Sequence, residues 1–252
     1  IGLGLDYNED LMQRLAAASD GNHVFVERPS DLAAVFDREF GDALSVAARD
    51  IIIPIECKSG FTPKRVLGRD ADISGGRVTL KLNQIPADTE RYVVVELEAP
   101  GSGPASSEGE VAHVDVEYLN LESGSRAQAK AAVTARFTED SKEAEASVNK
   151  GVMSQVTEQI ATENSEKAVE LRDKGDILAA RKVLEDNALY LNRQKSALGM
   201  GAYAAPSASI SALDKLEAKS REAAENLEGE GWDKTRKMMR HDQHKAKVQQ
   251  SY

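Results

Sequence analysis

Four histidines, one cysteine and a large set of carboxylates are the side chains of this chain that could ligate a metal or move a proton. Their spacing assigns neither role. His241 and His244 stand three apart and share a helix face, but a tetrahedral metal site needs three or four ligands, and no third lies near them in sequence. They read as polar residues of a charged tail. His23 and His113 open strands and read as hydrogen-bonded structural histidines, and Cys57, without a base placed to activate it, reads as a residue packed in a strand. Asp72-Ile73-Ser74-Gly75-Gly76 partly follows the D-x-S-x-S pattern that sets a carboxylate and two hydroxyls around a hard divalent cation. Gly76 replaces the second serine, which leaves a plain β-turn. Gly2-Leu3-Gly4-Leu5-Asp6-Tyr7 approaches a dinucleotide-binding fingerprint, but Tyr7 stands where the third glycine is needed. The glycines then serve a close turn before a helix. No pair of acids is placed for acid–base work. The expectation is no catalytic, cofactor-binding or metal-binding residue in this chain.

The net charge of −10 opposes general binding to polyanions, and no nucleic-acid partner is expected. The basic stretch Gly229–Tyr252, with Lys234, Arg236, Lys237, Arg240, Lys245 and Lys247 against Glu230, Asp233 and Asp242, reads as a solvated, frayed helix end. A lone cysteine cannot form an intrachain disulfide. No stretch approaches the run of apolar residues a membrane helix requires, and no leader opens the sequence. The chain begins at Ile1, directly in an apolar run, and reads as a processed product or a fragment. A cytoplasmic, bacterial location is the expectation.

Three regions separate by hydrophobic period. In residues 1–47, strand, helix, strand and helix alternate, the pattern of an α/β layer. Ile1–Leu5 is the first strand. Asp6 and Glu9 have capping-box spacing, and Leu11, Met12, Leu15 and Ala16 give the apolar face of a helix ending near Asp20-Gly21. His23–Glu27 is the second strand. Pro29-Ser30 opens a helix whose stripe is Leu32, Phe36 and Phe40, with Val35 beside it. Two short strands make no stable sheet alone, so this region is expected to be the last portion of a larger domain.

Residues 48–138 switch to period two: Ile51, Ile53 and Ile55 alternate with Ile52, Pro54 and Glu56. Further strands are expected at Arg65–Gly68, Arg77–Leu82, Arg91–Glu98, Glu110–Asn120 and Gln128–Phe137. Turn residues divide them at Lys58-Ser59-Gly60, Ser74-Gly75-Gly76, Gly101–Gly109 and Ser123-Gly124-Ser125. Strands of this number and spacing imply an all-β sandwich. Residues 139–252 are helical. Val148, Val152, Val156 and Ile160 form one stripe, and Ile177, Ala180, Leu184, Ala188 and Leu191 a second. After a break at Gly199–Ser209, Ile210, Leu213, Leu216, Ala223 and Leu227 form a third. Ala168, Leu171, Gly175-Asp176, Ala180, Leu184 and Ala188 resemble one tetratricopeptide-type hairpin. A single copy reads as a helical hairpin with small residues at its contact, a surface on which a protein partner could dock.

Ile1-Gly2-Leu3-Gly4-Leu5-Asp6, Asn8–Met12, Leu15-Ala16, Gly21-Asn22, Phe25-Val26 and Asp31-Leu32 through Phe36 resemble the end of a bacterial von Willebrand factor A (VWA) domain. The continuation into a sandwich and an Ala/Glu/Lys-rich tail ending in Lys237-Met238-Met239-Arg240 is similar to bacterial proteins of this class. Some of those carry the label "calcium-activated chloride channel family", which the absence of a membrane segment here does not support. The resemblance implies a multidomain α+β chain: 1–47 the C-terminal portion of a doubly wound VWA domain, 48–138 a β-sandwich, and 139–252 a helical hairpin and C-terminal helix. It also implies that the family's metal-dependent loop, which would hold Mg²⁺ or Ca²⁺ in a full-length VWA domain, lies upstream of Ile1, so this chain holds no cofactor itself. The function implied is a non-enzymatic interaction or scaffold protein with an unknown protein partner. The alternatives are structural self-association through residues 139–252, or an enzyme whose site is unfamiliar.

Overall fold

A computed structural model describes residues 1–19, 21–101, 108–200 and 204–249. Asp20, most of the expected Gly101–Gly109 turn, the middle of the expected break after Gly199, and the side chains of Phe40 and Glu230 lie outside the described residues. The chain is mixed α/β and divides into two compact units, one of residues 1–36 with 149–252, the other of residues 37–148. The first sequence region thus has the helical region as its companion.

The first unit opens with β1 (Gly2–Leu3), α1 (Glu9–Ala18) and β2 (Phe25–Val26). The strands pair in parallel, Gly2 opposite Phe25 and Leu3 opposite Val26, as the alternating pattern requires. A 3-10 turn at Pro29–Asp31 leads into α2 (Leu32–Leu44). Val24, Val26 and Val35 are buried together with Leu32 packed on them, whereas Phe36 of the expected stripe is 45% exposed. The expected capping box does not form. Asn8 caps α1 by accepting a hydrogen bond from the Leu11 amide, which frees Glu9 for other partners. Leu11 and Leu15, expected to face a core, are 49% and 59% exposed; the inward side of this helix is its acidic one.

The second unit is built on β3 (Val46–Cys57), β4 (Thr62–Leu67), β5 (Asp72–Ser74), β6 (Arg77–Pro86), β7 (Val94–Glu98), β8 (Glu108–Asn120) and β9 (Ser125–Arg136), followed by the short α3 (Ser141–Ala146). Five strands form an antiparallel sheet in the order β5-β6-β3-β8-β9, and β4 pairs with β7 in a separate ribbon. Period-two patterning sets the register. Ile51, Ile53 and Ile55 lie opposite Leu82, Leu80 and Val78, all six buried. Val66, Val95 and Leu97 of the ribbon pack on the same cluster. Asp72-Ile73-Ser74 is the short edge strand β5, and Gly75 and Gly76, with φ of +57° and +79°, turn it into β6. A β-turn is therefore what this motif makes. Asp50, with φ of 51°, sits where the β3–β8 register shifts, a bulge in the left-handed conformation that Asp tolerates better than most residues.

Four helices complete the first unit: α4 (Lys150–Asp173), α5 (Ile177–Gly199), α6 (Ser207–Glu225) and α7 (Trp232–Val248). The α4–α5 hairpin turns at Gly175, φ +86°, with the Asp176 carboxylate accepting from the Ala179 amide. Ala180, Leu184, Ala188 and Leu191 are fully buried as their spacing foretells, and Leu213, Ala223 and Leu227 follow the third stripe inward. The first stripe fails: Val148 and Val152 are 44% and 48% exposed. Ser154, Thr157, Ala161, Thr162 and Ala168 are buried instead. The hydroxyls of Ser154, Thr157 and Thr162 donate to the carbonyls of Gly151, Met153 and Glu158 in the helix's own preceding turn. A small hydroxyl residue satisfied this way behaves as a small apolar one, so the helices approach closely there. No helix among the described residues is long and apolar enough to cross a membrane.

Candidate functional site: a charged clamp and a histidine cluster

The C-terminal basic stretch is not a frayed tail. Its residues Trp232–Val248 form α7, in which Trp232, Lys237, Met239, Gln243, His244 and Ala246 are buried. Lys237, His241 and His244 fall at i, i+4 and i+7, one face of the helix, and that face meets the β1–α1–β2 segment. The Lys237 ammonium, 5% exposed, donates to the Tyr7 carbonyl at 2.8 Å and to Glu9 Oε2 at 2.5 Å. It also lies 4.4 Å from the centroid of the Tyr7 ring, a cation–π position. Arg236 beside it binds Glu9, Asp10 and Asp173, the last through both Nε (3.1 Å) and Nη2 (2.7 Å). One turn on, Arg240 Nε lies 2.9 Å from Asp10 Oδ1. Lys234 pairs with Glu27 at 2.7 Å.

The electrostatics follow from this geometry. Burial pushes the Glu9 carboxyl upward, and hydrogen bonds from Lys237, its own amide and Arg236 more than offset that, so it titrates below the ordinary range. Asp10 is likewise depressed, burial being outweighed by Arg236 and Arg240. Arg236 is held protonated even more firmly than usual, first by its hydrogen bond to Asp173. The Tyr7 hydroxyl is buried without a hydrogen-bond partner, and burial, then the Glu9 charge, push its pKa up to about 12. Gly2 is required here: a Cβ on it would lie 2.1 Å from the Tyr7 ring. The glycine thus allows the close packing of Tyr7 on β1.

Next to this clamp three histidine rings meet. The His23 ring centroid lies 6.2 Å from that of His241, 6.0 Å from His244 and 6.2 Å from Tyr7, all edge-on. His241 Nδ1 is 2.7 Å from the His23 carbonyl oxygen and His244 Nε2 is 2.8 Å from the Gly21 carbonyl oxygen, so each spends a ring nitrogen on docking the helix to the chain around β2. His23 itself is 1% exposed, and neither of its ring nitrogens has a hydrogen-bond partner. The expectation of a hydrogen-bonded histidine is thereby corrected. Burial, followed by the charges His244 and His241 would carry, lowers the His23 pKa to about 4. Burial lowers that of His241 as well. The cluster is a closely packed plug. Among the described residues no group of His, Cys, Asp and Glu has metal-binding geometry.

The structure thus joins His241 and His244, which the sequence places on one helix face, with His23, more than two hundred positions away; it leaves His113 on β8, within 3.7 Å of Glu110 and 3.6 Å of Asp115. Cys57 stays half-buried at the end of β3. The residues not anticipated are Glu9, Arg236 and Lys237. Their signal was present in an acidic first turn on α1 and in cations recurring on one face of α7, which also carries Trp232 and Met239 inward.

No family model matches the sequence, and no curated protein matches it. Among solved structures, the chain is similar to a von Willebrand factor type A protein from Catenulispora acidiphila, at 14% identity and TM-score 0.62 over 87% of this chain and 56% of that one. It is also similar to the ArnB paralog VWA2 from Sulfolobus acidocaldarius, at 16% identity and TM-score 0.52 over 98% of this chain and 54% of that one. The chain spans about half the length of these two proteins. It shares the fold of VWA-domain-containing proteins.

Proposed function

We propose that this chain serves a VWA-type protein-interaction role and is not itself an enzyme. The observation that supports this most is the fold likeness to the VWA protein from Catenulispora, at TM-score 0.62. In this reading β1, α1, β2 and α2 are the closing portion of a doubly wound sheet, because a two-stranded parallel sheet is not stable by itself. The metal-dependent loop that binds the partner, with its Mg²⁺ or Ca²⁺, belongs to the part of the VWA fold outside this chain. The five-stranded sheet and its ribbon are the β-sandwich of the same protein. The helices are a scaffold, and α7 fastens them to the α/β segment through Arg236, Lys237 and the histidine plug.

The test is affinity capture with the gene's full product in Mg²⁺ and in EDTA, alongside a turnover screen with common hydrolase substrates. The reading expects a protein partner retained in Mg²⁺, released by EDTA, and no turnover. Substrate turnover without any retained partner would overturn it.

A second reading, self-assembly through residues 139–252, draws on α5. Leu178 and Leu189, eleven positions apart and so on one face, are 80% and 48% exposed. Light scattering across a concentration series separates the two: a constant monomer mass leaves the second reading without support.

A further inference from the structure

The two edges of the five-stranded sheet are built differently. One edge is β5, only three residues long (Asp72–Ser74), a length that gives a passing strand little to pair with. The other is β9, twelve residues from Ser125 to Arg136, and among the described residues no strand pairs with its outer side. A long open edge is a template for another strand unless proline, a bulge or an inward-pointing charge spoils it. β9 has no proline and no inward-pointing charge, and the one register shift in its pairing places the extra residue, Val111, on β8. Its row on the core side of the sheet is Ser125, Ala127, Ala129, Ala131, Val133 and Ala135, all but Ala127 exposed at this edge. Ala131, Ala129 and Ala127 lie opposite Val114, Val116 and Tyr118, which pack on the sheet's core, so this row continues the apolar face to the edge. Val133 is 48% exposed.

The outward row decides which strand fits. On β8 it is acidic, with Glu108, Glu110, Asp115 and Glu117. On β9 it is basic, with Arg126, Lys130 and Arg136 and no acid. Across the pair, Lys130 meets Asp115 at 3.2 Å, and the Lys130 side chain is still 63% exposed. Opposite charges side by side stabilise adjacent strands and like charges oppose them. A second copy of β9 laid antiparallel would set one basic row against another. The next strand out that continues the alternation is acidic on its outer face and apolar on its inner one.

We propose that the outer edge of β9 is a strand-addition site for an extended partner segment in which apolar and acidic residues alternate. Main-chain hydrogen bonds to the free edge would supply affinity, and Arg126 and Lys130 would select acidic over basic sequences, Arg136 being paired with Glu143. Neither this site nor its test depends on a metal-dependent loop.

The experiment uses the intact chain and a fluorescein-labelled peptide of alternating Val and Glu, with a Val–Lys peptide as control. Anisotropy is expected to show saturable binding of the Val–Glu peptide alone, weakened about tenfold or more by the pair Arg126→Glu and Lys130→Glu. Ala131→Glu, which puts a charge into the inward row without touching the basic one, should abolish it. Hydrogen exchange should slow at β9 amides only when the Val–Glu peptide is present. Equal binding of both peptides, no saturable binding, or binding that leaves β9 amides unprotected would overturn the proposal. So would β9 amides already protected in a chain that self-associates, which would assign the edge to a second copy. Unchanged circular dichroism of the variants keeps a loss of binding from being a loss of fold.

Discussion

Lys237 and Glu9 are each more than nine-tenths buried and reach each other across more than two hundred residues of sequence. Taking two charges out of water is costly, and removing one of them leaves the other uncompensated, typically at about 3–5 kcal/mol. Lys237→Met is expected to destabilise the first unit by an amount of that order. Glu9→Gln should cost less, because the amide can still accept from Lys237 while Arg236 keeps Asp10 and Asp173. Denaturant melts of both variants and of the double variant check this, and a coupling energy near zero would mean that the pair is not a unit.

His23 gives a separate pH dependence. Its pKa is about 4 in the folded protein and near the ordinary 6.5 once the chain unfolds, so between these values the unfolded state binds more protons. Stability therefore rises with pH through this window, at up to about 1.4 kcal/mol per unit, and is level above it. Glu9 and Asp10, whose pKa values are depressed, contribute stability that is lost only at lower pH, below the usual carboxylate range. Melting temperatures at pH 7, 6 and 5 should fall in the wild type and fall less in His23→Phe.

At the scale of elements, legibility in the sequence followed the source of burial. Where apolar side chains supply it, spacing sufficed: the Ile51–Ile55 alternation in β3 and the Ala180–Leu191 stripe in α5 are buried as read. It failed where polar side chains are buried in satisfied pairs. The inward face of α1 is acidic, that of α4 is built from Ser, Thr and Ala, and α7 looks like a solvated tail until Glu9, Asp10 and Asp173 are seen opposite it. Hydropathy registers a cation as outward-facing, and only the fold supplies its counter-ion. The candidate site was legible as the shared face of His241 and His244 and no further, because His23 meets them, and Glu9 meets Lys237 beside them, only through tertiary structure.

Two consequences belong to single elements. The amides of α7 should exchange with solvent as slowly as those of α5, since the helix is part of a packed core with Trp232 and Met239; exchange at the rate of a free helix end would show it undocked. Asp50, held at φ 51° in the β3 bulge, pays the steric cost of a left-handed residue. Asp50→Gly is expected to be neutral or to stabilise the second unit by up to about 1 kcal/mol, and Asp50→Val to destabilise it by more than that. Thermal melts of the two variants read this directly.

The chain as a whole shares the fold of VWA-domain-containing proteins, and within its first unit the strongly paired side chains Glu9, Arg236 and Lys237 tie α7 to α1. Under the proposed function labour is divided: this chain supports and orients, while a metal-dependent loop outside it engages the partner. One measurement addresses that division directly: the affinity of the captured partner for this 252-residue chain and for the gene's full product, each in Mg²⁺ and in EDTA. The account expects tight, EDTA-sensitive binding by the full product and a large loss of affinity for this chain alone. Equal binding by the two, indifferent to EDTA, would contradict it.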